Sequence, residues 1–269
     1  MLRGLLRIKQ GGVTVSRTVI VTGAGRGIGR GIALRLAKDG LKVVVNDIDA
    51  GNAQKVADEI KALGQEAMAV RADVTNEAEV YDMVAKVVAE FGKLDVMIAN
   101  AGIANIKWAI EMSAAEWDQI FAVNCRGTFL CDQAAAKQMI KQRNGKIINC
   151  SSIAGHAGFS LLAAYSATKF AVRGFTQALA KELGPYGITV NAYCPGIVGT
   201  DMWDLIDEKM GPYLKLGKGE VLKEYSKLIT MGRVQTPADV ANFVSYLASA
   251  DADYMTGQSI IIDGGIVMN

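Results

Sequence analysis

The sequence predicts an α/β domain built on one doubly wound, mainly parallel sheet with helices on both faces. Three observations carry that reading. Short β-branched runs alternate with helical periods from Thr18 to the end of the chain. The runs are apolar without alternation, as strands buried on both faces are. The first run hands over to a glycine cluster and then a helix.

Taken in order, Thr18–Val19–Ile20–Val21–Thr22 reads as a first strand, followed by a helix from about Gly27 to Lys38. Val43–Asn46 is a second strand and Ala50–Leu63 the next helix. Ala67–Arg71 is a third strand, with a helix around Val80–Phe91. Leu94–Ala99 is a fourth, and one long helix is expected from about Ala114 to Met139. Lys146–Cys150 is the fifth strand, Ala163–Leu183 another long helix, Ile188–Ala192 the sixth strand and Ser259–Ile262 the seventh. Helical crossovers between buried strands imply parallel pairing, so the expected architecture is a single-domain Rossmann fold with seven strands.

Composition narrows the class. The chain has 269 residues, 51% hydrophobic and 21% charged, with 29 glycines and 4 prolines. It is too apolar for disorder, and its formal charge of +2 excludes a nucleic-acid binder. No apolar run approaches the roughly 18 residues a membrane span needs. Cys125, Cys131, Cys150 and Cys194 show no CxxC pairing and no metal-ligand spacing, so they are expected as reduced, mostly buried thiols in a cytoplasmic protein that needs no metal. Residues 1–17 carry Arg3, Arg7, Lys9 and Arg17 and no acid. Without these four, 25 bases face 27 acids. The segment reads as an N-terminal extension outside the fold, through an upstream start or an added leader; an organellar targeting peptide is the other reading. Residues 18–269 are then the domain. About 33 residues between Gly199 and Arg233 contain no strand, and a loop that long is expected to be a substrate lid, or otherwise a surface helix pair.

The chemistry-bearing motifs follow. Thr22-Gly-Ala-Gly-Arg-Gly-Ile-Gly29 lacks the GxGxxG spacing but fits GxxxGxG through Gly23, Gly27 and Gly29. Missing Cβ atoms let backbone N–H groups approach a pyrophosphate at a helix N-terminus. Asp47, 18 positions after Gly29, can accept the ribose hydroxyls of NAD and repel the 2′-phosphate of NADP, although Arg26 leaves room for NADP. Asp49 is the alternative cap of the next helix. Tyr165 and Lys169 are spaced i, i+4, one helical turn apart, so the cation can lower the phenol pKa towards neutrality and make it a general acid or base. Ser151 and Ser152 end the strand upstream.

With these motifs together, the chain resembles the short-chain dehydrogenase/reductase family from Thr18 to Gly265. The resemblance assigns cofactor contacts to Gly23, Arg26, Gly27, Ile28, Gly29, Asp73, Val74, Asn100, Ala101, Gly102, Pro195, Gly196, Val198 and Thr200 as well as Asp47, Tyr165 and Lys169. It implies a catalytic set of Asn124, Ser152, Tyr165 and Lys169, with Ser152, 13 residues before Tyr165, as the site serine and Asn124 fixing a water beside Lys169. Later segments, from Gly199-Thr-Asp-Met-Trp203 to the chain end, resemble the acetoin (diacetyl) reductases, also called 2,3-butanediol dehydrogenases. The resemblance implies an NAD cofactor, a diketone, hydroxyketone or vicinal diol as substrate, and a homotetramer. Ile153, Phe159, Gly196 and Trp203 are the expected substrate pocket, and apolar Ile153 and Phe159 lean towards the (S)-specific subtype. Sorbitol-type polyol dehydrogenases and 3-oxoacyl thioester reductases are the alternatives, with a non-enzymatic scaffold further off. His156 is either a pocket donor or a loop histidine, and Trp108 and Trp117 are expected in the core or an interface.

Overall fold

The computed structural model describes residues 16–268. Seven parallel strands form one sheet in the order β3-β2-β1-β4-β5-β6-β7. They are β1 (Thr18–Val21), β2 (Lys42–Asp47), β3 (Ala67–Arg71), β4 (Val96–Ala99), β5 (Gly145–Cys150), β6 (Ile188–Pro195) and β7 (Ser259–Ile262). Every pairing along the sheet is parallel, as crossover helices require. The strand order reverses between β1 and β4, which opens a crevice beyond the strands' C-terminal ends.

Helices cover both faces. On one side α1 (Gly27–Lys38) packs against α9 (Pro237–Ala248), with α2 (Ala50–Ala62) alongside, over Val19, Val21, Val43 and Val45. On the other, α3 (Glu77–Phe91), α5 (Thr128–Gln142) and α6 (Ala163–Leu183) cover Ile20, Val44, Met97 and Ile147. Neighbouring strand residues therefore feed two separate cores, which is why the strands carry no polar alternation.

Four departures from the sequence reading stand out. The long helix expected over Ala114–Met139 is α4 (Ala114–Phe121), a π-helical turn over Ala122–Gly127, and α5. The lid segment is itself a helix pair, α7 (Met202–Leu214) and α8 (Glu220–Ser226). Helix α9 was not anticipated, although its capping box of Thr236 and Asp239 around Pro237 is a legible start signal. Finally, the fold begins before Thr18: the Arg17 carbonyl accepts from Lys42 N at 2.9 Å and the Ser16 hydroxyl donates to Gly40 O at 2.6 Å. The rest of the N-terminal extension lies outside the described residues.

Candidate active site

A single cavity of about 940 Å³ occupies the crevice. Every residue assigned to the cofactor from sequence lines it, from Gly23 and Asp47 at one end to Pro195 and Thr200 at the other.

At the first end, the glycine loop turns sharply after β1, with Gly23 at φ +60° and Gly27 at φ +56°. A Cβ on Gly29 would meet Gly23 O at 2.2 Å and Asn100 Nδ2 at 2.6 Å, so only glycine lets α1 start this close to the strand. Arg26, the residue before α1, caps none of its first N–H groups with its side chain. Those donors are left for an anion, and the helix dipole favours one there. Asp47 holds its carboxylate at the edge of the loop, accepting from Gly25 N at 2.9 Å and Asp49 N at 3.1 Å. Asp49, not Asp47, caps α2 through Asn52 N at 3.0 Å. The side chains of Arg26 and Asp201 face each other at 3.9 Å, both largely exposed.

The middle of the cavity is fixed by Asn100. Its amide donates to Thr22 O and Gly23 O at 2.9 and 3.1 Å, and it accepts the buried Tyr193 hydroxyl at 2.8 Å. The loop after β4 is thereby tied to the glycine loop after β1. Asp73 accepts from both Thr75 N and Thr75 Oγ1 at 2.8 Å, and Val74 packs where a Cβ on Gly127 would intrude.

At the other end sit Ser152, Tyr165 and Lys169. Ser152 follows β5, and Tyr165 and Lys169 stand one turn apart on α6, with the ammonium 5.5 Å from the phenol ring centre. Lys169 Nζ donates to Cys150 O at 2.8 Å. Ser151 donates its hydroxyl to Lys169 O at 2.9 Å, whereas the Ser152 hydroxyl accepts from Ala154 N at 3.1 Å.

The electrostatics differ from the expectation. Burial raises the Tyr165 phenol, and the Lys169 charge and a Ser152 hydrogen bond pull it back only in part, so it sits above its ordinary value. Burial also presses on Lys169, but the nearby Cys150 and Tyr165 groups outweigh it and the ammonium is held above its usual range.

Asn124 is buried in the π turn and does not line the cavity. Its amide pairs in both directions with the Ile103 backbone at 2.9 Å and donates to Thr168 Oγ1 at 3.1 Å. It works as a brace that sets the chain after Gly102 beside α6. Of the expected substrate pocket, Gly196 and Trp203 line the cavity, whereas Ile153, buried in the turn directly after Ser152, and the half-buried Phe159 stand outside its lining. His156 is likewise absent from the lining, where a loop histidine would be, and burial with the Arg173 charge holds it below its ordinary value.

Sequence motifs missed part of the cavity's outer wall: Ile106, Lys107 and Glu116 line it, together with Met202, Leu205 and Tyr213 of the segment after Gly199 expected to be a lid. Tyr213 closes the gap by donating to Glu111 at 2.8 Å and setting its ring edge-on to Trp108. No motif marks these residues, though the Ser113–Glu116 capping box, which also pairs Glu116 with Lys107 at 3.0 Å, is readable. Trp108 and Trp117 are not core residues: they are 43% and 42% exposed. Among the described residues no group of His, Cys, Asp or Glu is arranged to hold a metal, and no helix is long and apolar enough to cross a membrane.

Comparison with known proteins settles the family. Residues 17–211 match the family model described as short chain dehydrogenase. The chain belongs to that family. A diacetyl reductase, (S)-acetoin forming, from Staphylococcus epidermidis is 49% identical over 94% of this chain and 99% of its own length. An L-2,3-butanediol dehydrogenase from Corynebacterium glutamicum is 45% identical over 95% of this chain and all of its own. A crystal structure of a short-chain type dehydrogenase/reductase from Mycobacterium marinum superposes with a TM-score of 0.84 at 33% identity, covering 95% of this chain and 97% of that one. This short-chain dehydrogenase is thus an oxidoreductase, and the family works with a nicotinamide cofactor.

Proposed function

We propose that this oxidoreductase interconverts diacetyl, acetoin and 2,3-butanediol with NAD(H). The observation that carries the reading is the cavity itself: anion-ready N–H groups and Asp47 at one end, Ser152, Tyr165 and Lys169 at the other. The glycine loop, Asp47, the Asp73–Val74 pair, Asn100–Gly102 and the stretch from Pro195 to Thr200 would hold the dinucleotide. A bound nicotinamide supplies or takes up the hydride. The chain's own groups handle the proton. In reduction the Tyr165 hydroxyl gives its proton to the carbonyl oxygen, while the Ser152 hydroxyl donates to the same oxygen and stabilises its developing charge. Lys169, fixed on Cys150 O, supports the phenolate that remains. Oxidation runs the same proton path backwards.

Asp47 supports NAD over NADP, because a fixed carboxylate accepts ribose hydroxyls and repels a 2′-phosphate. A small, mostly apolar substrate suits the outer wall, where Ile106, Met202, Trp203 and Leu205 line the cavity. The (S) preference is supported by the names of the two relatives, an (S)-acetoin forming diacetyl reductase and an L-2,3-butanediol dehydrogenase. A homotetramer in the cytoplasm completes the proposal; Trp117, Phe129 and Phe170 leave apolar surface exposed on α4, α5 and α6 for contact between copies.

The test is a panel of NADH and NADPH oxidation over diacetyl, acetoin, sorbose and an acetoacetyl thioester, with chiral analysis of the product. Turnover of diacetyl with NADH to (S)-acetoin is expected. Turnover of the thioester alone, or a clear preference for NADPH, would replace this reading with that of a 3-oxoacyl thioester reductase.

A further inference from the structure

Among the described residues the largest fully buried side chain is Tyr193 of β6, in the core beneath α1 and α9. Its ring fills space there, but its hydroxyl has a specific partner. The sheet places β5 between β6 and β4, and the hydroxyl reaches across it to Asn100 Oδ1, 2.8 Å away in the loop after β4. Tyr193 faces Cys150 in the register of β5 and β6, and Ala99 faces Asn149 in that of β4 and β5, so Tyr193, Cys150 and Asn100 fall in one row. The other end of the Asn100 amide meets two backbone carbonyls, Thr22 O at 2.9 Å and Gly23 O at 3.1 Å. Carbonyls only accept, so the amide nitrogen must point at them. Oδ1 then faces the phenol, and the phenol must be the donor. Burial holds the Tyr193 phenol well above its ordinary value, so that proton stays in place.

We propose that Tyr193 is a positioning residue for the cofactor: its hydroxyl orients the Asn100 amide, which holds the glycine loop in the shape that receives a pyrophosphate. The amide sits at the start of α1, where a Cβ on Gly29 would come within 2.6 Å of Asn100 Nδ2. Gly23, whose carbonyl the amide holds, has the φ of +60° on which the loop turns. The Asn100 backbone is held independently, since Thr22 Oγ1 accepts from Asn100 N at 3.0 Å and from Ala101 N at 3.1 Å. What Tyr193 sets is therefore the amide. Without the hydroxyl, Oδ1 would be a buried acceptor lacking its donor, and the amide would turn to other partners and release Gly23 O. The main chain of Tyr193 has a separate task. Its carbonyl accepts from Ser151 N at 2.9 Å and so places the residue before Ser152. That bond survives substitution of the side chain, so the hydroxyl acts on the cofactor end alone.

This inference rests on the glycine loop holding the dinucleotide. Its test uses the full chain and Tyr193→Phe, which keeps the ring and removes the hydroxyl. The Kd for NADH, followed by cofactor fluorescence, should rise about tenfold, while kcat at saturating NADH and the KM for diacetyl stay within about twofold of wild type. A general loosening of the core would lower kcat as well. Asn100→Ala should raise the Kd at least as much, and adding Tyr193→Phe to it should change the Kd by less than about twofold, because the two act through one bond. A further arm needs neither substrate nor cofactor. Hydrogen exchange should quicken in peptides covering residues 22–29 of Tyr193→Phe and stay unchanged over α7 and α8. An NADH Kd within about twofold of wild type overturns the proposal, as do unchanged exchange at the loop, a kcat that falls with the affinity, or additive effects of the two substitutions. Tyr193→Met, which also lacks the hydroxyl, carries the same expectations should Tyr193→Phe not fold. Failure of both to fold makes the hydroxyl a requirement of the fold rather than of the cofactor site, and overturns the proposal too. Failure of the proposed function would appear in the wild type, as absent ketone turnover or absent NADH binding, and the exchange arm would still decide whether the hydroxyl holds the loop.

Discussion

On the proposed mechanism, Tyr165 decides what the site can do at a given pH. Because burial holds its phenol above the ordinary value, the hydroxyl is protonated throughout the neutral range. Carbonyl reduction needs that proton and should be flat from weakly acidic to neutral pH, then fall in the alkaline range. Alcohol oxidation needs the phenolate and should climb over the same alkaline range. Initial rates in both directions against pH check this; an oxidation rate already saturated at neutral pH would contradict it, placing the phenol well below its ordinary value. At this scale the sequence was informative where chemistry demands a residue type. The i, i+4 spacing places Tyr165 and Lys169 one turn apart on α6, and of the two adjacent serines it is Ser151 whose hydroxyl donates to Lys169 O. Ile153 and Phe159 show the limit: proximity in sequence to Ser152 does not reveal that the chain turns inward there and buries Ile153. The direction of the Tyr165 shift was also illegible, because it depends on how much burial opposes the Lys169 charge.

At the scale of elements, the α7–α8 pair, proposed as a substrate lid, is held from within by one acid. Asp207 in α7 accepts from Gly219 N and, at 3.0 Å, from Val221 N, so it anchors the start of α8, which offers no capping side chain of its own. Asp207→Ala should therefore loosen the α7–α8 pair, which carries Met202, Trp203, Leu205 and Tyr213 into the cavity. The expected result is a KM for the ketone raised about tenfold, with the Kd for NADH nearly unchanged; equal losses in both would refute an action confined to the lid. Strand existence and helix type were legible here from apolar runs and helical periods. The π turn around Asn124 was not, because no local residue pattern distinguishes it from ordinary helix. It breaks the helical run from Ala114 to Gln142 at Asn124, which braces the chain after Gly102.

At the scale of the whole molecule, the all-parallel sheet sends the C-terminal ends of β1, β2, β4, β5 and β6 to one edge, and the order reversal between β1 and β4 opens the cleft there. Phosphate loop, Asp47, Asn100, Ser152 and Pro195 reach one cavity because each follows or ends a strand. The strand order that brings them to one cavity comes from the structure; the motifs at the strand ends were legible in the sequence. The outer wall was not, since Ile106, Lys107 and the lid meet only in three dimensions. The central claim is that this cavity transfers a hydride under proton control by Tyr165. Tyr165→Phe keeps the ring that fills the space and removes the hydroxyl. Diacetyl reduction and NADH binding, followed by cofactor fluorescence, should be measured together on this variant. The account predicts a loss of turnover of at least about a thousandfold with the NADH Kd within a few-fold of wild type. A variant that turns over within about tenfold of wild type, with NADH still bound, would contradict it.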